Sequence, residues 1–374
     1  MTQHELIVVG AGPAGSTCAE RLASAGMDVL LLDRAEFPRN KLCAGWVTPR
    51  VLEGRGLCRE RPDVPPDGAG GLDVAMTLEP ITAFRIGQIG SSTERDVIID
   101  YGKTISYGVL RHEFDHWLLG RAQAAGAHVR LGTAVKSLEH DRAGWTVNGE
   151  HRARMLVGAG GHFCPVARHL SPRSTATPFV CQEVELRLVA QQAAACPVAP
   201  HRPELFFSAD LRGYGWCFRK GDWLNIGLGR EDRADLPGRV RAFADWLHRE
   251  NRLPPTLDLP ERWGGHAYFA YDTSPRPLAA DDALLIGDAA GLADPKSGEG
   301  IGPAIESAHH AADAIIAGRP SDYAPSITAR YGPRQTRDGS IGPSPWRIAL
   351  GRWLLRRRWF ARRVILDRWF LGRG

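Results

Sequence analysis

Residues 6–33 read LIVVGAGPAGSTCAERLASAGMDVLLLD, and the rest of the chain is organised around them. Residues 6–9 are an all-apolar run, long enough for one buried strand. Gly10, Gly12 and Gly15 follow in G-x-G-x-x-G spacing, with Pro13 and Ala14 between them. Residues 16–25 favour helix, and Gly26 ends it. Residues 29–32 form a second apolar strand that stops at Asp33. Each glycine has a mechanical role. Gly10 allows the tight turn, Gly12 lets backbone approach a pyrophosphate, and Gly15 lets the helix pack on the strand. The helix N-terminus points unpaired N–H groups at phosphate, and Asp33 is placed to accept from a ribose hydroxyl. The spacing alone is weak evidence. Its place between strand and helix, with an acid 23 residues after Gly10, close to the expected ~20, favours dinucleotide binding over an ordinary glycine-rich turn.

A chain of 374 residues can bury a large core and suggests two or three domains. Its 43% hydrophobic and 24% charged shares are those of a globular protein. Seven cysteines, scattered without C-x-x-C spacing, argue for free thiols rather than a disulfide framework or structural zinc. With the first strand starting at Leu6, a cytoplasmic protein is expected. The net charge of +5 is misleading. Residues 346–374 carry nine arginines and one aspartate, or +8, so the body carries −3.

Beyond Asp33 and Arg34, residues 37–49 (FPRNKLCAGWVTP) lack periodicity and read as an ordered loop. Its small Cys43-Ala44-Gly45 would let a flat ligand approach backbone; a buried structural thiol is the commoner fate of such a cysteine. A short helix is expected over 49–57, then a Pro/Gly-rich connection over 60–72. Strands are expected within 74–107, a helix over 110–125, and short strands at 128–131, 134–139, 144–147 and 154–158. Residues 179–188 and 224–228 look like strands of a different sheet, and 239–251 an amphipathic helix ended by Pro254 and Pro255. At 284–286 another buried strand runs straight into Gly287-Asp288-Ala289-Ala290-Gly291. A helix follows over 301–317. An aspartate at a strand end is well placed for a polyol hydroxyl, and the helix N-terminus for a polarised ring.

GAGPAG with Asp33, GVLRHEFD at 108–115 and GDAAG at 287–291 resemble the flavoprotein group of p-hydroxybenzoate hydroxylase. Within that group, residues 37–49, YGWCFRKGDWLNIGLG from Tyr214 and GDAAGLADPKSGEGI from Gly287 resemble the geranylgeranyl reductase family. The resemblance covers roughly residues 5–318 and rests on three separate motifs. It implies FAD extended across a Rossmann-type domain. It places Gly10, Gly12, Pro13, Ala14 and Gly15 at the pyrophosphate, and Asp33 with neighbouring Arg34 at the adenosine ribose. Arg111 would lie near the ribityl–phosphate region, Gly287 and Asp288 at the ribityl chain, and the backbone of Val135 at the adenine. Pro295, Gly298, Gly300 and Ile301 would line the isoalloxazine, with Cys43 and Ala44 beside it. Cys43 is the one catalytic candidate that the resemblance supplies. Two departures stand out: Gly160 replaces the aspartate of the group's usual Asp-Gly pair, and Trp46 stands in a stretch often read as Cys-Gly-Gly-Gly. The electron donor stays open between NADPH and a ferredoxin-like protein.

The architecture expected is α/β: a Rossmann-type FAD-binding domain from 1–75, 105–178 and 275–330, an inserted antiparallel-sheet substrate domain from 76–104 and 179–274, and a basic, Trp-rich helical tail over 331–374. Tyr214, Trp216 and Phe218 lie two apart and share one strand face. Together with Trp46 they would suit a small apolar substrate such as a prenyl lipid; core packing explains the same stripe. Three activities compete: reduction of a C=C bond, monooxygenation of an aromatic or polyketide-like substrate, and membrane binding with a non-catalytic flavin. The chain lacks the W-x-W-x-I-P of halogenases. No uncharged run of the tail reaches the ~20 residues that span a bilayer. Trp346, Trp353, Trp359 and Trp369 interleaved with arginine suit a helix lying on anionic lipid at the inner membrane face. The alternative is a helix whose tryptophans pack on the body. Nucleic acid is not an expected partner, because the acidic body offers no basic groove.

Overall fold

The computed structural model describes residues 1–52, 76–172, 176–232, 234–334 and 344–372. The expected connection over 60–72 lies outside them, as does everything past Leu52 of the helix expected over 49–57, which is seen as Pro49–Leu52. In chain order the strands are β1 Thr2–Val9, β2 Val29–Leu32, β3 Trp46–Val47, β4 Leu78–Ile81, β5 Ala83–Gln88, β6 Val97–Asp100, β7 Ser106–Val109, β8 His128–Arg130 and β9 Leu138–Asp141. They continue with β10 Gly144–Val147, β11 His151–Gly158, β12 Phe179–Arg187, β13 Glu204–Phe207, β14 Gly213–Lys220, β15 Trp223–Arg230, β16 Gly264–Tyr268, β17 Ala279–Ala280 and β18 Ala283–Leu285.

The first sheet runs β17-β18-β11-β1-β2-β8. Its parallel centre pairs β1 with both β2 and β11, and β11 with β18. Such strands are covered on both faces and read as continuous apolar runs; residues 6–9 and 29–32 are all buried. Helix Pro13–Ser24 packs on one side, against helices Arg111–Ala124 and Ile301–Ile316. The strand expected at 134–139 begins only at Leu138. Before it, the Asn148 side chain accepts from the N–H of Lys136 and Ser137 and donates to the carbonyl of Ala134. One amide thus supplies the bonds that a partner strand would have given.

The second sheet runs β16-β12-β15-β14-β13-β5-β6 and joins two stretches of chain, 83–100 and 179–268. It is antiparallel apart from the parallel pair β13–β5. One face packs Phe206, Cys217, Ile226 and Leu228 against Phe243, Trp246 and Leu247 of helix Leu236–Arg249. That helix starts ahead of the expected residue 239 because the Asp235 side chain caps it by accepting from Gly238 N–H. The other face looks back towards the first sheet. A third, small antiparallel sheet, β3-β7-β4, links the two. Strand β4 therefore pairs away from the segment 76–104 with which it was grouped by sequence.

Helix Pro345–Leu355 and the helical segment Ala361–Phe370 close the chain. Leu355, Ala361, Ile365, Leu366, Phe370 and Leu371 are buried against the second sheet. The tail is held by its aliphatic residues and Phe370. Trp346, Trp353 and Trp359 are 63%, 52% and 58% exposed, and only Trp369 of the four tail tryptophans packs on the body. Of the two readings left open for the tail, tryptophans packed on the body hold at Trp369 and not at those three.

Candidate functional site

A cavity of about 680 Å³ runs between the two large sheets, from Gly10 and Asp33 at one end to Trp369 and Phe370 at the other. At the first end β1 turns sharply. The Gly10 N–H donates to the Leu32 carbonyl at 2.7 Å. A Cβ on Gly15 would lie 1.7 Å from the Gly10 carbonyl oxygen, so helix Pro13–Ser24 can meet the strand only through a glycine. The helix has no side-chain cap at Gly12 and no acid in its first turn, which leaves its positive end open to an anion. Asp33 accepts from Ala11 N–H at 2.7 Å on one oxygen and from Ala35 N–H at 2.8 Å on the other. Each oxygen keeps a lone pair for a ribose hydroxyl. Arg39 and Arg111 share the Asp115 carboxylate, at 3.2 Å and 2.8 Å, beside this end.

Midway, Asp288 stands at the start of the Gly287–Ala289 turn. Burial pushes its pKa up, but His266, Lys41 and Arg111 outweigh that and hold it below the usual carboxylate range. Lys41 Nζ lies 3.0 Å from His266 Nδ1, and His266 Nε2 lies 3.6 Å from Asp288. The loop 294–300 is folded by Asp294, which accepts from Lys296 N–H, Ser297 N–H and the Ser297 hydroxyl. The Tyr214 hydroxyl donates to the Ser297 carbonyl at 2.6 Å and fastens the loop to the second sheet.

Opposite that loop runs the segment 39–45. Its Cys43 carbonyl accepts from Asn225, and its Ala44 carbonyl accepts from the buried Lys220 ammonium, which also pairs with Glu185 at 2.5 Å. The Cys43 thiol accepts from Gly45 N–H at 3.4 Å and lies within hydrogen-bond reach of Arg111. At the far end the walls are Trp46, Leu205, Phe207, Leu211, Tyr214, Trp216, Phe218 and Phe370. Trp46 stacks on Phe370 with ring centres 5.3 Å apart, and Tyr214 meets the same ring edge-on at 5.5 Å.

This arrangement offers an anion cradle, a ribose acceptor, a buried polyol acceptor and a flat slot between two loops. That is the donor and acceptor set of an extended flavin dinucleotide, and the residues fit it. The FAD binding domain family matches residues 3–331. Geranylgeranyl diphosphate reductase of Rhodobacter capsulatus is 30% identical over 343 residues, spanning 86% of this chain and 78% of that protein. This chain belongs to the FAD-dependent, geranylgeranyl reductase-like oxidoreductases. Menaquinone reductase of Mycolicibacterium smegmatis is 27% identical over 352 residues, with the same coverage of 86% and 78%. The crystal structure of a geranylgeranyl bacteriochlorophyll reductase-like protein from Thermoplasma acidophilum shares the fold. Its TM-score is 0.70 at 22% identity, covering 95% of this chain and 88% of that one.

For a flavoprotein of this family, most of the residues expected from sequence come together. Gly10, Gly12, Pro13, Ala14, Asp33, Arg34, Cys43, Ala44 and Arg111 line the cavity, as do Asp288, Pro295, Gly298, Gly300 and Ile301. So do Trp46, Tyr214, Trp216 and Phe218. Gly15 and Gly287 do not; they lie beneath it and let helices approach. Val135 packs on the core of the first sheet and is not brought to the cavity wall. Where the group's aspartate would stand, a Cβ on Gly160 would sit 3.1 Å from Cys164 Cα, so the larger residue has little room.

Sequence reasoning missed Arg39, Lys41, Glu183, Leu205, Phe207, His266, Tyr268, Trp369 and Phe370, all on the cavity wall. Arg39 and Lys41 sit four and two residues before Cys43, inside the loop 37–49. Glu183 lies on a strand that was recognised, but its facing partners are set by pairing across the sheet. Phe370 arrives from the far end of the chain, and only the packing of the tail brings it there.

Proposed function

We propose that this chain reduces C=C bonds of a prenyl, isoprenoid or similar apolar substrate. When bound and reduced, FAD would supply the electron pair as hydride. The first sheet serves as its carrier, and the cavity face of the second sheet serves as the substrate platform. The carrying observation is the aromatic chamber continuous with the flavin slot, walled by Trp46, Phe207, Trp216, Phe218 and Phe370. An apolar pocket with few polar groups suits an extended hydrocarbon, whose binding is driven by burial. Relatives named geranylgeranyl diphosphate reductase and menaquinone reductase support the same substrate class. The residues have separable tasks. Asp33 and the end of helix Pro13–Ser24 hold the adenosine diphosphate part. Asp288 holds the ribityl chain. Cys43 and Ala44 face the ring slot from the loop pinned by Lys220 and Asn225. Trp46 and Phe370 close the chamber to water.

Substrate of this kind resides in lipid, and the tail offers a route to it. Trp346, Leu350, Trp353 and Trp359 are exposed among arginines. Arg357 lies 4.2 Å from the Trp353 ring centre. Among the described residues no helix is long and apolar enough to cross a membrane. A basic face carrying tryptophan suits peripheral contact with anionic headgroups.

The test is product mass. Protein reduced by dithionite is mixed anaerobically with geranylgeranyl diphosphate or a menaquinone. Gain of two hydrogens per double bond, located in the prenyl chain and not in the quinone ring, supports the reading. Return of unchanged substrate from both sinks it. Bleaching of the flavin band by NADPH, against bleaching by dithionite alone, separates a nicotinamide donor from a protein donor.

A further inference from the structure

Row by row across the second sheet, directly paired residues share a face. One row reads Gly264–Glu183–Gly227–Trp216–Leu205–Ile86, on strands β16, β12, β15, β14, β13 and β5. It crosses the floor of the cavity, and Glu183 is its only acid. Glycines flank it on both sides. A Cβ on Gly227 would fall 2.1 Å from the Trp216 ring and 2.8 Å from Glu183 Cβ, so the indole lies across the gap and against the acid. A Cβ on Gly264 would fall 2.3 Å from Leu42, which closes the other side. The indole and the leucine fill the space that the two glycines leave, and the carboxyl stands between them.

Glu183 lines the cavity yet is 1% exposed, and its Oε2 has no hydrogen-bond partner. A buried ionised carboxylate with a bare oxygen is costly. Burial pushes its pKa up to about 7, against Lys220, with Glu185 adding to the rise and Lys41 and Asn225 opposing it. Lys220 does not neutralise it, being already engaged by Glu185 and the Ala44 carbonyl. A proton on Oε2 removes the charge, which lowers the cost, and creates an O–H donor.

We propose that Glu183 is the proton donor to the substrate, giving its Oε2 proton to the alkene carbon next to the one that receives hydride. This rests on the reductase reading. The Oε2–H bond breaks, and a C–H bond forms with the π-electron pair of the alkene. The neighbouring carbon takes the hydride of the reduced cofactor. Glu183 is left as a carboxylate and regains a proton from water. On the cavity wall Glu299 is also raised to about 7, through burial and then Asp294, and its Oε1 is likewise without a partner. It belongs to the loop side, where it accepts from Gly302 N–H, and not to the aromatic floor.

Two readouts test this. Infrared titration of the oxidised protein, with no substrate present, reads the carboxylic C=O stretch. The proposal expects a band that disappears with a midpoint within about one pH unit of 7 and is absent from Glu183→Gln. Anaerobic single turnover of the dithionite-reduced protein with geranylgeranyl diphosphate reads the donor role. Glu183→Gln should keep its flavin and bind substrate, yet turn over more slowly by about 10²–10⁴-fold, with partial recovery in Glu183→Asp. No such band in the wild type, or turnover of Glu183→Gln at the wild-type rate, overturns the proposal. So does a loss confined to Glu299→Gln. A wild type that fails to turn over overturns the reductase reading and the donor role with it, while the infrared band still reports whether Glu183 holds a proton.

Discussion

Asp33 shows how one side chain serves both fold and ligand. Its two oxygens each accept one backbone N–H, from Ala11 in the turn after β1 and from Ala35 in the turn after β2, which fixes them facing the cavity. Asp33→Ala should weaken FAD retention by about 10-fold or more, since hydrogen bonds to a charged group contribute about 1.5–3 kcal/mol each. The ratio of flavin to protein absorbance after gel filtration checks this; unchanged occupancy would refute the ribose role. Glu183 makes a pH prediction. Its folded pKa of about 7 lies above the ordinary 4.5, so the folded state holds the proton more tightly than the unfolded chain. That contribution is complete below about pH 4.5 and is lost as pH rises through about 7. Glu183→Gln should therefore gain thermal stability relative to wild type between pH 5 and pH 8. A difference in melting temperature that does not change with pH contradicts the assignment.

At the scale of elements, the strand–turn–helix at the start of the chain is held by contact as much as by sequence preference. Gly15→Ala would drive a methyl into the Gly10 carbonyl. Overpacking of this kind costs about 1–3 kcal/mol. Both flavin content and melting temperature should fall, because the helix N-terminus moves with the helix. Full flavin occupancy in this variant contradicts the close-packing role. Much of this level was legible beforehand. An apolar run, a glycine triplet and a terminal acid are local signals, and so is the Gly287–Asp288 turn. Alternation of Tyr214, Trp216 and Phe218 against the inward-packed Cys217 also shows in sequence. What stayed hidden is what pairing decides. Glu183, His266 and Tyr268 face the cavity because β12, β15 and β16 align in one register. The parallel pair β13–β5 joins chain segments more than 100 residues apart, and no local pattern announces it.

For the whole molecule, the cavity is an interface between two sheets, finished by the tail. The tail's composition left a surface helix and a packed one open; Trp346, Trp353 and Trp359 are exposed, while Trp369 packs on the body. Its inward side was not legible, because burial of Ile365, Leu366 and Phe370 depends on the sheet they cover. Removing residues 346–374 would strip that cover, so a fair test of membrane contact changes only the exposed rings. Trp346→Ser, Trp353→Ser and Trp359→Ser combined should leave folding and flavin content intact and reduce pelleting with anionic vesicles several-fold. Equal pelleting of variant and wild type contradicts membrane contact through these residues. An apolar chamber that opens directly from the flavin slot would serve the alkene reduction proposed above. The most direct measurement is the 450 nm absorbance of the dithionite-reduced protein after anaerobic mixing with a polyprenyl alkene. Alkene reduction in this chamber predicts that the oxidised flavin band returns without oxygen, one flavin for each double bond reduced. A band that stays bleached until oxygen is admitted, with an oxygenated product, would contradict it and assign the chamber to monooxygenation.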